Sequence, residues 1–362
     1  MKNIIPTVNN YTKNIRHLKK MNSFTFFVII LILLATNQIS AQKSSFKLSE
    51  IKYSTLRWTG VAVSNTGRIF VNFPRWSQIP FSVAEIVDSQ LIPYPDDEWN
   101  TWNESATPEN HFVCVQSVYI DKENYLWILD PASINGSVVN GGSKLLQIDL
   151  QEDSVIQVIY FDEKVAPTQS YLNDIRVDTE KNVAYLTESG LGSIIIVDLS
   201  AGNSRRLLEN HYSVKAENIQ LEINGQNIDF PVHSDGLALS NDCSYLYYKA
   251  LTGNNLYRIK TEKLRDTTLT SSQLENAVEF VLKTFPCDAI EFDTDDNLFF
   301  TSIQDNAIYY LTPELELKLA VKDDRLEWPD SFSITPKGEI YVTSSGILFP
   351  PSSHGLFKIT NQ

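Results

Sequence analysis

Six times along this chain a polar residue stands five positions ahead of a turn signal that interrupts a hydrophobic strand pattern. The polar residues are Thr59, Gln116, Asn173, Asp235, Asp288 and Asp330. The turns open at Ser64, Asp121, Asp178, Ser240, Asp293 and Thr335. The text around them repeats loosely, from TGVAVSNTGRIFV and QSVYIDKENYLWIL through NDIRVDTEKNVAYL and DGLALSNDCSYLYY to DAIEFDTDDNLFFT and DSFSITPKGEIYVT. Intervals of 57, 57, 62, 53 and 42 residues between copies describe a radial array rather than a layered domain. In such an array equivalent residues occupy equivalent points of each unit. The six polar side chains therefore converge on the axis.

Each unit has one grammar. An alternating apolar run such as Gly60-Val61-Ala62-Val63 enters a short Ser/Asn/Asp/Gly cluster and leaves as a second run, Arg68-Ile69-Phe70-Val71, which reads as a hairpin. Third-strand candidates follow at residues 144–150, 193–199, 255–259, 307–311 and 355–359, and a fourth strand leads onward, as at 155–160. Three or four antiparallel strands per unit predict an all-β, six-bladed β-propeller. The expected domain is 42–362, with residues near 46–56 pairing with the last blade so that closure removes exposed sheet edges. Helical periodicity is scarce, and residues 271–281 are its best candidate. The insertions at 93–109 and 207–228 are expected as loops.

Residues 1–41 read as a secretory signal peptide: Lys13, Arg16, Lys19 and Lys20, then an apolar run from Phe24 to Ala35, then Ile39-Ser40-Ala41. The run is short for a membrane span. A secreted or periplasmic location follows, with no membrane association once the signal is gone. Removing this segment takes away five cations and no acids, so the net charge of −14 becomes −19. Such a surface repels nucleic acid and anionic membranes, which excludes both as partners. Three cysteines, Cys114, Cys243 and Cys287, show no zinc spacing. Cys114 and Cys243 read as incidental, and Cys287 adjoins Asp288 and is a candidate to line the cavity. No phosphate loop, GxSxG, HExxH or dinucleotide fingerprint is present.

The segments GVAVSNTGRIFVNFPRW (60–76), PYPDDEWN (93–100), YLWILD (125–130), YLNDIRVD (171–178) and HSDGLALSNDCSYLYY (233–248) resemble the Yellow/major royal jelly protein family, in a cysteine-poor, bacterial-type form. That family is related more distantly to the SMP-30/gluconolactonase-type propellers. The resemblance spans nearly all of residues 45–360 and implies a secreted six-bladed propeller. Family members are known as pigmentation, nutritional and amine-binding proteins, and a defined reaction is generally lacking. In the gluconolactonase-like relatives a divalent cation sits at the axial opening. By that resemblance Asn173 matches a metal-binding asparagine, Asp235 falls where those relatives usually have asparagine, and Asp288 matches their catalytic or metal-binding aspartate. Thr59 stands where those enzymes carry a glutamate, which removes one anionic ligand.

Two chemistries fit the ring. Calcium accepts several oxygen ligands, which Asn173, Asp235 and Asp288 would supply with Asp330 in reach. A metal-dependent lactone or ester hydrolase would then use Asp288 as base, with His233 assisting. Without metal, three convergent carboxylates repel, so one takes up a proton, and the acidic opening suits a small-molecule amine. Trp58, Tyr248 and Phe332 lie near ring positions in sequence and are candidates to hold its apolar body. FPRW and PYPDDEW read as structural connections rather than recognition sites. A third reading leaves the ring structural, each Asp capping a strand, and makes the protein an interaction scaffold. The sequence does not give the oligomeric state.

Overall fold

Each of the six turn-opening residues caps its own turn, and this is what starts each hairpin. Asp121 Oδ1 accepts the Glu123 and Tyr125 amides at 2.9 and 3.0 Å, and Asp293 Oδ1 does the same for Asp295 and Asn297 at 2.9 and 2.8 Å. Asp178 accepts the Lys181 amide. Ser64, Ser240 and Thr335 use hydroxyls to take the amides of Arg68, Tyr245 and Glu339. Three or four residues on, the chain passes through a left-handed conformation at Gly67, Asn124, Asn182, Cys243, Asp296 and Gly338. Glycine adopts that conformation without strain, and Asn and Asp tolerate it. Cys243 fills one of these positions (φ 57), so it has a definite place in the turn grammar rather than an incidental one.

The computed structural model describes residues 46–347 and 354–361. The expected signal peptide lies outside the described residues. Six four-stranded antiparallel sheets form the blades. Their first strands are Val61–Val63, Ser117–Ile120, Leu172–Asp178, Ser234–Leu239, Cys287–Phe292 and Pro329–Ile334. Each first strand touches that of the next blade, and the sixth touches the first, which closes a ring around one axis. The sixth sheet is completed from the N-terminal side. Phe46–Ser54 pairs antiparallel with His354–Asn361, from Phe46↔Asn361 to Ser54↔His354, with one register shift between Glu50 and Lys52. The expected closure is therefore present.

The core is divided radially. Six hydrophobic clusters each join two neighbouring blades, such as Phe70, Tyr94 and Val83 of blade 1 with Val118, Ile128 and Leu146 of blade 2. The ring closes through Tyr341 and Leu356 of blade 6 against Val61 and Val71 of blade 1. A seventh cluster lies under a hairpin, Leu221–Ile223 with Gln226–Ile228, against Leu251, Ile303 and Trp328. That hairpin gives structure to an insertion expected as loop. The insertion at 93–109 likewise holds a short helix, Asp97–Asn100. The predicted helix at 271–281 is real only for Ser271–Glu275; its remainder supplies the outer strand Glu279–Lys283. A capping box at Thr270 and Gln273 starts the helix, and alternation of apolar residues wins after it.

Candidate functional site

In blades 3 to 6 the first strand loses register where the ring residue falls. The pairing shifts between Leu172 and Ile175, Ser234 and Leu237, Cys287 and Ile290, and Pro329 and Phe332. Asn173, Asp235, Asp288 and Asp330 sit on these four bulges. A β-bulge bends its strand and re-aims a side chain. Three bulges are fastened by a threonine from the second strand: Thr187, Thr301 and Thr343 hydroxyls accept the amides of Asp174, Ala289 and Ser331 at 2.9–3.1 Å. Thr187 also donates to Asp235 O, and Thr343 to Thr59 O, so each ties its bulge to the next blade. In blade 4 the bulge residue is Gly236, where a Cβ would stand 2.6 Å from Asp288 O. Glycine is needed there to let blades 4 and 5 approach.

Sequence reasoning missed these threonines. Their signal was the Thr that follows two strand residues in YLTE, FFTS and YVTS, 13 or 14 positions after each ring residue.

The bulges turn their side chains into a cavity of about 430 Å³ at one end of the axis. Gln116, Asn173, Asp235, Asp288 and Asp330 all line it. Thr59 does not. It is fully buried, held by Asn72 Nδ2 (2.9 Å) and donating to Gln116 O (3.1 Å). The first strand of blade 1 therefore fastens the ring instead of lining the cavity. His233 is also outside the lining, and its Nδ1 accepts the Ala216 amide at 2.8 Å, which occupies the nitrogen needed for a base. Cys287 is fully buried among Ala238, Ile290 and Phe300, and burial pushes its thiol up to about 11. It faces the core.

The aromatic candidates are corrected in the same way. Trp58 is buried and donates to Gly355 O; Tyr248 is buried against Ser213; Phe332 lines a second cavity at the opposite end of the axis. For Trp58, directly before Thr59, period-2 alternation explains the error: the side chain packs in the cluster between blades 6 and 1. The aromatic side chains that do line the cavity are Trp76, Tyr171, Phe230 and Trp328, and they come from connections or lie just ahead of a strand. Trp76 belongs to FPRW, which is thus only partly structural: Arg75 binds Val113 O, while Trp76 lies at the cavity.

The two halves of the lining differ. On the side of blades 2 and 3 an ordered chain runs from Trp76 Nε1 to the Tyr171 hydroxyl (3.0 Å), on to Gln116 Oε1 (2.7 Å), from Gln116 Nε2 to Asn173 Oδ1 (3.2 Å), and from Asn173 Nδ2 to Ser189 Oγ (3.3 Å). Blades 4 to 6 supply the acids. Burial, then the charges of Asp288, Asp330 and Asp174, raise Asp235 well above the usual carboxylate range. Burial and Asp288 do the same to Asp330. Asp288 is pushed up by burial to about 7, restrained by hydrogen bonds from Trp328 and Asp235. The Trp328 indole donates to Asp288 Oδ2 at 2.6 Å. Trp328 holds a left-handed backbone (φ 52) directly before Pro329, a conformation costing about 1–3 kcal/mol. Asp235 and Asp288 act on each other's protonation, and burial holds both above the usual carboxylate range.

Arg176 lines the cavity at the opposite end. It pairs with Asp174 at 2.8 Å and Glu291 at 2.7 Å, donates to Ile290 O, and lies over the Tyr119 ring. One side chain thus braces blades 2, 3 and 5. Among the described residues, no group of three or more His, Cys, Asp or Glu side chains is arranged to hold a metal ion. No helix among them is long and apolar enough to cross a membrane.

This is a six-bladed β-propeller whose axial cavity is polar on one side and acidic on the other. The major royal jelly protein family model matches residues 113–348, and the chain belongs to that family. Major royal jelly protein 7 of Apis mellifera is 24% identical over 226 residues, covering 59% of this chain and 49% of that protein. The chain thus spans about half the length of that relative. Among solved structures, a gluconolactonase from Xanthomonas campestris superposes with a TM-score of 0.56 at 11% identity, covering 90% of this chain and 94% of that one. Regucalcin from Agrobacterium tumefaciens, a calcium-binding protein, gives 0.53 at 12%, covering 86% and 94%. At such identities the likeness is one of fold.

Proposed function

We propose that the axial cavity binds a small protonated amine. The observation that carries this reading is the meeting of Asp235, Asp288 and Asp330 in one cavity walled by Trp76, Tyr171, Phe230 and Trp328. Three buried carboxyls this close remain mostly neutral by sharing and holding protons. An ammonium ion reverses that preference, because its charge favours the ionised acids, while the aromatic faces accept the cation and the apolar body. Calorimetry with benzylamine tests the reading. Binding to the wild type and loss of at least tenfold in the Asp235→Asn/Asp288→Asn double variant support it; no binding by the wild type overturns it.

A divalent-cation-dependent lactonase or ester hydrolase is the second reading, favoured by Asp288 held near neutrality, where a carboxylate can take and return a proton. The donor set argues against calcium. Asp288 Oδ2 is engaged by Trp328, and Asn173 Oδ1 accepts from Gln116. Calcium prefers six to eight free oxygen ligands. We derive no step through a metal. Calcium or a chelator should leave the melting temperature and amine affinity unchanged, and a calcium-dependent rise of more than a few degrees would restore the hydrolase reading.

We also infer export, with residues 1–41 removed as a signal peptide. N-terminal sequencing of protein recovered outside the cytoplasm should start at Gln42.

A further inference from the structure

Four positions after each ring residue, just before the turn, stands a second set of equivalents: Val63, Ile120, Val177, Leu239, Phe292 and Ile334. All six line the cavity of about 410 Å³ at the opposite end of the axis from the acids. Every blade thus gives one apolar side chain to a collar there. One position earlier the blades differ. Tyr119, Arg176 and Glu291 line the cavity from blades 2, 3 and 5, whereas blades 1, 4 and 6 carry only Ala62, Ala238 and Ser333 at that position. Three long polar side chains against three short ones leave room beside a polar group. This cavity shares no lining residue with the one that holds the acids.

Within the polar group one atom is left over. Arg176 is matched by Asp174 and Glu291 at 2.8 and 2.7 Å, and the Ser333 hydroxyl is occupied by the Val63 amide at 2.9 Å. The Tyr119 ring lies against the Arg176 guanidinium, 5.3 Å from its centre. Its hydroxyl bonds no other described residue and is not sealed from solvent. Burial raises this phenol, so it keeps its proton and is free to donate. An anion here would face Asp174 and Glu291, and a cation would find both already engaged by Arg176. An uncharged oxygen meets neither difficulty. We propose that this cavity is a second binding site, for a small uncharged amphipathic molecule: its apolar body in the six-residue collar, its hydroxyl or carbonyl oxygen accepting from Tyr119. The volume falls within the range of about 300–1,000 Å³ usual for small-molecule pockets.

Calorimetry with 4-propylphenol and 4-propylbenzoate, which share a body and differ in head charge, tests the proposal. The wild type should bind the phenol at least tenfold more tightly than the benzoate. Tyr119→Phe removes a hydroxyl that has no partner to lose, so it should melt with the wild type. It should weaken 4-propylphenol about three- to tenfold, the worth of one hydrogen bond. Ile334→Trp, which narrows the collar, should weaken it at least tenfold. Asp235→Asn/Asp288→Asn, at the other end of the axis, should bind 4-propylphenol as the wild type does. No binding of 4-propylphenol, binding equal to that of the benzoate, or full affinity in both Tyr119→Phe and Ile334→Trp would each overturn the second site. So would loss of binding in the Asp235/Asp288 double variant, which would put the phenol in the acid cavity. The amine reading is independent of all these results, because benzylamine alone decides it.

Discussion

Asp288 is the residue on which the electrostatics of the cavity turn. Its folded-state value of about 7 lies above the ordinary carboxylate value of 3.8, so the folded chain holds a proton that the unfolded chain releases between those limits. The stabilisation is complete below about pH 4 and is lost as pH rises through about 7. Melting temperature should therefore fall from about pH 5 to pH 8. Asp288→Asn, which stays neutral, should show a shallower slope and be more stable than wild type above neutrality by roughly 2 kcal/mol. A variant with the wild-type slope would show that another group governs it. Amine binding runs the other way. The cation favours ionised acids, so affinity should rise through the same window and binding should release protons, read by calorimetry in buffers of different ionisation enthalpy. The six ring positions were legible in the sequence as a repeat. Which of them reach the cavity was not, because the partners that hold the Thr59 hydroxyl, Asn72 and Gln116, are set only in three dimensions.

At the scale of the element, the unit is a bulged first strand fastened by a threonine from the second. Thr343 joins the blade 6 bulge to blade 1, accepting from Ser331 and donating to Thr59 O. Thr343→Val keeps the shape and removes both bonds. It should cost about 1–3 kcal/mol in denaturant unfolding and weaken amine binding through Asp330. A loss of stability without any change in affinity would show that the bulge does not position the acid. Hairpins were readable because turn chemistry is local: Asp121 or Asp293 caps its turn with atoms two to four residues away. Insertions were less readable. The hairpin around residues 221–228 is stabilised by Trp328, Ile303 and Leu251, which are distant in the chain.

For the whole molecule, Arg176 joins blade 3 to blade 5 and lines the cavity at the opposite end from the acids. Its side chain is nearly buried, and its two carboxylate partners, Asp174 and Glu291, are partly buried with it. Arg176→Met would leave both acids without their partner, so a loss of about 3–5 kcal/mol is expected in chemical denaturation at neutral pH. The loss should shrink at lower pH, because Glu291 is already raised to about 7 by burial and is readily neutralised. A pH-independent loss would mean the packing of the arginine matters and its charge does not.

The chain by itself determined the number of blades, the places of the turns and the identity of the ring, because a repeat of period-2 strands and turn residues is written in local terms. Tertiary structure alone decided which aromatics wall the cavity and which acids are buried together there. Those properties depend on distances across the axis and on burial from water, and neither is a function of neighbouring letters.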